Sequence, residues 1–196
     1  MLRLAGKSTR TGAVLATTAL AATAFLGVAG QASAVTGESH GNGSTRLAVT
    51  ADGGAAAGVA ALTAAGQHFQ NVNSGKCLVV RGTAESSAVQ STCGDWADQL
   101  WKAYPSAAGS TFQLQDVNSG KCLVVRGTAE NAGAVQSTCG DWADQFWNIY
   151  YKSTSDQYQF QNVNSGKCLA VRGTAENAGA VQSTCGDWAD QWWKIY

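Results

Sequence analysis

The sequence predicts an all-β domain of pseudo-threefold symmetry, with about twelve short strands contributed by three tandem copies of one unit. Three observations predict it. The first is recurrence: NVNSGKCLVVRGTAESSAVQSTCGDWADQLWKAY at residues 71–104 returns as DVNSGKCLVVRGTAENAGAVQSTCGDWADQFWNIY at 116–150 and as NVNSGKCLAVRGTAENAGAVQSTCGDWADQWWKIY at 162–196. The second is the period. Cys77, Cys122 and Cys168 stand 45 and 46 residues apart, a spacing at which a supersecondary unit is too small to bury its own apolar face and needs its neighbours. The third is that each copy alternates apolar and polar residues in short runs broken by Asn and Gly, the pattern of strands joined by tight turns.

Ahead of the repeats, residues 1–34 read as a secretory signal. Arg3, Lys7 and Arg10 form a basic start, residues 13–29 an apolar run, and Ala32-Ser33-Ala34 a small-residue cleavage site, which puts the mature start at Val35. An uncleaved membrane anchor is the alternative, but threonines interrupt the run and it barely reaches spanning length. Elsewhere no segment is apolar enough to cross a bilayer. Residues 35–66 turn to Gly, Ala, Ser and Thr and read as a flexible segment. An Ala-rich helix over 55–65 is marginal by itself, being short and holding Gly58.

The repeats occupy about 67–106, 107–152 and 153–196. Each opens with an alternating stretch (residues 69–73, 112–118 and 158–164), turns through Asn-Ser-Gly-Lys and continues as Cys-Leu-Val/Ala-Val-Arg-Gly, which is strand, turn, strand. A polar Gly-Thr-Ala-Glu loop follows, then a strand around Ala-Val-Gln-Ser-Thr-Cys, a Gly-Asp-Trp-Ala-Asp loop, and a last strand carrying Gln-x-Trp. The single proline, Pro105, falls between copies one and two, where a missing donor harms no ladder.

Six cysteines in an exported chain are expected to pair. A threefold pattern survives only if every copy bonds within itself or all bond cyclically, and within-copy separations of 16, 17 and 17 residues suit adjacent strands. The pairs expected are therefore Cys77 with Cys93, Cys122 with Cys139, and Cys168 with Cys185. Zinc is the competing use of cysteine, but there is no Cys-x-x-Cys pair and His40 and His68 are the only histidines. Neither a metal nor any other cofactor is expected.

Gln99-Leu100-Trp101, Gln145-Phe146-Trp147 and Gln191-Trp192-Trp193 close the copies. Period-2 geometry sets each Gln and Trp on one strand face, so a buried indole can fill a lobe while the amide bonds the preceding loop. The residue between points outward, so Trp192 is expected at the surface. Three such units, each with its own cysteine pair, resemble the ricin B-chain type lectins, a β-trefoil family also used as carbohydrate-binding modules by secreted actinobacterial hydrolases. The resemblance covers residues 67–196 and implies a six-stranded barrel capped by three hairpins, with up to three shallow sugar sites.

In sugar-binding copies of that family an Asp usually follows the first cysteine by two residues, and an aromatic precedes the second by two. Here those places hold Val79, Val124 and Ala170, and Ser91, Ser137 and Ser183. What matches is the polar residue before Gln-x-Trp: Asp98, Asp144 and Asp190. The candidate sugar site is accordingly the Cys-Gly-Asp-Trp-Ala-Asp-Gln loop, with Asp95, Trp96, Asp98 and Gln99 in copy one, Asp141, Trp142, Asp144 and Gln145 in copy two, and Asp187, Trp188, Asp190 and Gln191 in copy three. A sugar presents C–H groups to an aromatic face and hydroxyls to carboxylates. The structural alternative is that the Trp plugs the gap beneath the loop and the Asp caps backbone amides. Arg81, Arg126 and Arg172 are read either as surface ion pairs with Glu85, Glu130 and Glu176 four residues on, or as a grip on an acidic sugar. Lys76, Lys121 and Lys167 are expected to be solvated.

With 45% hydrophobic and 13% charged residues over 196 positions, the chain can build one packed domain and is not disordered throughout. Cleavage after Ala34 removes three cations and takes the formal charge from 0 to −3, so no basic patch drives binding to nucleic acid. A glycoside hydrolase needs two carboxylates in distinct environments, whereas these recur identically in every copy, and no nucleophile elbow or phosphate loop is present. The reading is a secreted, non-catalytic, monomeric carbohydrate binder. The alternative from another class is a trefoil scaffold that binds or inhibits a protein.

Overall fold

The computed structural model describes residues 39, 41–49, 57–63 and 66–196; the expected signal segment lies outside them. In chain order the elements are β1 (Thr45–Arg46), α1 (Ala57–Thr63), β2 (Gln67–Asn71), β3 (Cys77–Val80), β4 (Ser86–Ser91), β5 (Leu100–Pro105), β6 (Phe112–Asp116), β7 (Cys122–Val125), β8 (Ala134–Ser137), β9 (Phe146–Lys152), β10 (Gln157–Asn162), β11 (Cys168–Val171), β12 (Ala180–Ser183) and β13 (Trp193–Ile195). A single 3₁₀ turn precedes each copy's last strand, at Ala97–Gln99, Ala143–Gln145 and Ala189–Gln191.

Six strands close an antiparallel barrel in the order β2-β5-β6-β9-β10-β13 and back to β2. The hairpins β3-β4, β7-β8 and β11-β12 cap it. Closure leaves few free edges, which is how a set of short strands with polar tips avoids pairing with other chains. This is a β-trefoil, and each copy supplies the four strands expected.

The core repeats as the sequence does. Leu78, Leu123 and Leu169 are fully buried beside Trp101, Trp147 and Trp193, and each indole nitrogen donates to the carbonyl of its copy's Leu at 3.0, 3.2 and 3.4 Å. A large apolar ring thus enters the core with its one polar atom satisfied. The three disulfides are those expected, with Cα atoms 4.9–5.0 Å apart.

At the cap, buried Gln90, Gln136 and Gln182 bind the copies to one another. Gln90 Nε2 donates to Gly173 and Ala175 carbonyls of copy three, Gln136 to Gly82 and Ala84 of copy one, and Gln182 to Gly127 and Ala129 of copy two. Their Oε1 atoms accept from Ser74, Ser119 and Ser165, each at 2.6 Å.

The flexible segment expected over 35–66 is, in its described part, docked on the domain. β1 pairs with β9 where that strand runs beyond β6, and Leu47 N donates to Ile149 O at 2.7 Å. α1 packs against β5, and Val59 and Leu62 are buried with Leu47 in the main core. Helix propensity is not what holds α1; apolar contact is.

One copy carries a defect. Asn71 Nδ2 donates to Asp190 O at 2.9 Å and Asn162 Nδ2 to Asp144 O at 2.8 Å. Copy two has Asp116 there, and an ionised carboxylate has no proton to give. Asp116 is fully buried, its Oδ1 has no partner, and burial pushes its pKa up, with Asp98 adding to the shift. A carboxyl whose folded pKa is raised favours folding when protonated, a stabilisation that fades as pH rises through that pKa. Asp116→Asn should therefore stabilise the domain by about 1–3 kcal/mol at neutral pH. The gain should shrink in acid, where protonated Asp116 donates as Asn does; urea unfolding at several pH values checks both.

Candidate functional site

The Gln-x-Trp glutamine builds the site from below. Gln99 Oε1 accepts from Gly94 N at 2.8 Å while its Nε2 donates to Thr92 O at 3.0 Å, and Gln145 and Gln191 repeat both bonds on Gly140 and Thr138, and on Gly186 and Thr184. With both amide ends committed and the side chain buried, these glutamines hold the loop. They support the loop, and Gln145 also lines the second cleft.

The loop so held turns its tryptophan outward. Trp96, Trp142 and Trp188 are 62%, 64% and 56% exposed, so they do not plug a gap. Each indole rests on a glycine of its own loop: a Cβ on Gly94, Gly140 or Gly186 would come within 2.3–2.5 Å of the ring. Only glycine leaves room for it.

Beside each indole lies a shallow cleft, of about 420 Å³ in copy one, 390 Å³ in copy two and 500 Å³ in copy three. Each is lined by the copy's Trp, Arg, Ser and second Asp: Trp96, Arg81, Ser91 and Asp98; Trp142, Arg126, Ser137 and Asp144; Trp188, Arg172, Ser183 and Asp190. The first aspartates, Asp95, Asp141 and Asp187, are exposed and line none of the three, and Asp187 pairs instead with Lys152 at 3.0 Å.

In copies one and three the arginine holds the aspartate, Arg81 to Asp98 at 3.2 Å and Arg172 to Asp190 at 2.6 Å. The second nitrogen of each guanidinium donates to Ser91 or Ser183. The other aspartate oxygens, Oδ1 of Asp98 and Asp190, are buried without a partner. Such a cleft offers a flat apolar face, a carboxylate held in place by an arginine and a nearby donor.

Several expectations are corrected here. No arginine pairs with the glutamate four residues on. The glutamates reach across to the next copy instead, because the Gly-Thr-Ala-Glu loop packs on the neighbouring cap. Glu130 takes Ser183 Oγ at 2.5 Å, the Thr184 amide and Lys167; Glu176 takes Ser91, the Thr92 amide and Lys76; Glu85 takes Arg126 at 2.6 Å and Ser137. Lys76 and Lys167 are thus ion-paired rather than merely solvated. Trp192 is 2% exposed, covered by Lys152, whose Nζ lies 5.1 Å from the ring centre. Sequence reasoning also missed Asn118 at the first cleft and Asn73 at the third, each from another copy's hairpin turn. The repeated Asn was visible, but its place is a matter of packing between copies.

A closed barrel of three repeats with one cleft per repeat defines a β-trefoil of lectin type. The ricin-type beta-trefoil lectin domain matches residues 65–193, and the chain belongs to that family. No curated protein matches the sequence. Among solved structures, the designed threefold-symmetric protein ThreeFoil is similar at 22% identity and a TM-score of 0.62, over 66% of this chain and 96% of that one. A ricin B-like lectin of Macrolepiota procera, solved in complex with lactose, is similar at 18% identity and 0.56, over 66% and 93%. The hemolytic lectin CEL-III is similar at 27% and 0.54, over 64% of this chain but 28% of its own.

The inter-copy glutamates also set an acid limit. Hydrogen bonds from Ser183 to Glu130, and from Ser91 to Glu176, with the Thr184 or Thr92 amide and a lysine beside each, lower both pKa values from 4.5 to about 2. A lowered folded pKa contributes stability that is present at neutral pH and lost as pH falls through this interval. Thermal melts of Glu130→Gln with Glu176→Gln should lie below wild type at neutral pH and converge on it between pH 4.5 and about 2.

Proposed function

We propose that this protein is a secreted, non-catalytic carbohydrate-binding protein with one weak site per repeat, in the manner of the binding modules carried by secreted actinobacterial hydrolases. The observation that carries the reading is the juxtaposition in the clefts. An indole is left exposed on a glycine shelf, and the second aspartate of the same loop lines the cleft beside it. A pyranose supplies what both lack, C–H groups for the ring and a hydroxyl for the carboxylate. Val79, Val124 and Ala170 are buried in the strands, so acceptance falls to the second aspartate of the Gln-x-Trp loop.

The arginines bear on the kind of sugar. Arg81 and Arg172 already bond an aspartate and a serine, and the aspartate carboxylate beside each repels an anionic sugar. Neutral saccharides fit these clefts better. Weak sites on one rigid body act together on a polymer, where avidity exceeds the affinity of any single site. Residues 1–34 and three disulfides support secretion, and among the described residues no helix is long and apolar enough to cross a membrane. A monomer suffices, since three sites already share one chain.

The oxidised chain 35–196 should retain glycans on an array or an insoluble polysaccharide column. Asp98→Ala, Asp144→Ala and Asp190→Ala together should abolish retention while circular dichroism is unchanged, and Gly94→Ala, Gly140→Ala and Gly186→Ala together should weaken it by displacing the indoles. Silence of the wild type on every glycan would transfer the weight to a scaffold that binds a protein.

A further inference from the structure

The three clefts share their Trp, Arg, Ser and second Asp, yet the second is wired differently. The cause lies in another copy. Between the loop glutamate and the following Ala-Val-Gln, copies two and three have Asn131-Ala132-Gly133 and Asn177-Ala178-Gly179, while copy one has only Ser86-Ser87. Asn131 and Asn177 take φ of 61°, and their amides donate to Gln182 O and Gln90 O of the next copy. With one residue fewer, copy one makes no such turn; β4 begins at once, with Ser86 and Ser87 paired to Gln136 and Val135 of β8.

The shortened loop changes what its glutamate reaches. Glu130 and Glu176 sit on a threonine amide, a serine and a lysine. Glu85 makes no bond to Thr138 or Lys121 and instead forms a two-pronged pair with Arg126, Oε1 to Nη1 at 2.6 Å and Oε2 to Nη2 at 3.1 Å. The nitrogen that in Arg81 and Arg172 holds the cleft aspartate is thereby taken. Asp144 is left with no hydrogen bond or salt bridge through its carboxylate among the described residues.

We propose that Glu85 is a specificity-determining positioning residue. By drawing Arg126 off Asp144 it makes the second cleft a weak site and leaves the first and third as the working pair. This rests on the carbohydrate-binding reading above. Asp98 and Asp190 are each held through Oδ2 by an arginine, so a sugar hydroxyl meets a carboxylate that is already oriented. Asp144 feels Arg126 only through space, with no hydrogen bond or salt bridge to hold its carboxylate, so a sugar must order that group as it binds. The loss of one charge-assisted hydrogen bond in the binding arrangement corresponds to about a tenfold weaker site or more.

The test reads each cleft separately. Protein labelled with 5-fluorotryptophan has seven ¹⁹F resonances, and Trp96→Phe, Trp142→Phe and Trp188→Phe assign the three in the clefts. Lactose, cellobiose, xylobiose, maltose and N,N′-diacetylchitobiose are titrated in turn. With any saccharide that binds, the Trp96 and Trp188 resonances should move together and that of Trp142 only at about tenfold higher concentration. In Glu85→Ala the Trp142 midpoint should fall to meet the other two, which stay where they were. Replacing Ser86-Ser87 by Asn-Ala-Gly, which keeps the glutamate but restores the longer loop, should do the same. A single midpoint for all three in the wild type, or a Trp142 midpoint unmoved in both variants, overturns the assignment to Glu85 while leaving carbohydrate binding intact. Five silent titrations, with no glycan retained on the array, overturn both.

Discussion

Each repeat is completed by a buried glutamine of its neighbour. Gln90, Gln136 and Gln182 carry hydrogen bonds around the threefold axis, every one spending its amide hydrogens on another copy's Gly-Thr-Ala carbonyls and its oxygen on a serine of its own copy's hairpin turn. An unmade bond at such depth costs far more than a made one returns. A copy alone therefore strands polar groups as well as apolar surface. The barrel beneath obeys the same rule, since no copy's strands close it without the other two.

That constraint places the clefts. The loop that ends on the neighbour's glutamine also carries the glutamate that crosses to the next serine, and that serine receives the cleft arginine. Scaffold and site share these residues, so a change of one residue in the length of one loop, remote in sequence from the cleft it alters, rewires Arg126. The second glutamine of each copy, in Gln-x-Trp, does the complementary work from inside: it ties the loop ends so that the tryptophan between them faces water.

Much of this was legible from the residues. Recurrence fixed the number of units, cysteine spacing within a copy identified the bonds, and period-2 geometry put Trp101, Trp147 and Trp193 in the core. The loop tryptophan and second aspartate are candidates by type and repetition, and the structure sets them beside one cleft in each copy. What was not legible depends on where one copy meets another. The glutamate four residues from Arg81 invites a local pair, but a loop at a threefold interface faces outward from its own copy. Trp192, Phe146 and Leu100 share a register position, yet Lys152 lies over Trp192 and buries it. In the described part of residues 35–66 composition is a poor guide, because a few apolar residues, Leu47, Val59 and Leu62, dock where a core is there to receive them.

The seam of the barrel has a mechanical meaning. β13 meets β2 through three residue pairs, Trp193 with Asn71, Lys194 with Gln70 and Ile195 with Phe69, and this junction joins the barrel's first strand to its last. The strands run antiparallel with residues 67 and 196 at the same end, so tension drawn between those points loads the bonds one after another, as in peeling, instead of shearing them together. The disulfides lie within the copies and do not cross the seam. A pull between residues 67 and 196 therefore opens this junction from its outer end, while the disulfide within each copy keeps its hairpin tied.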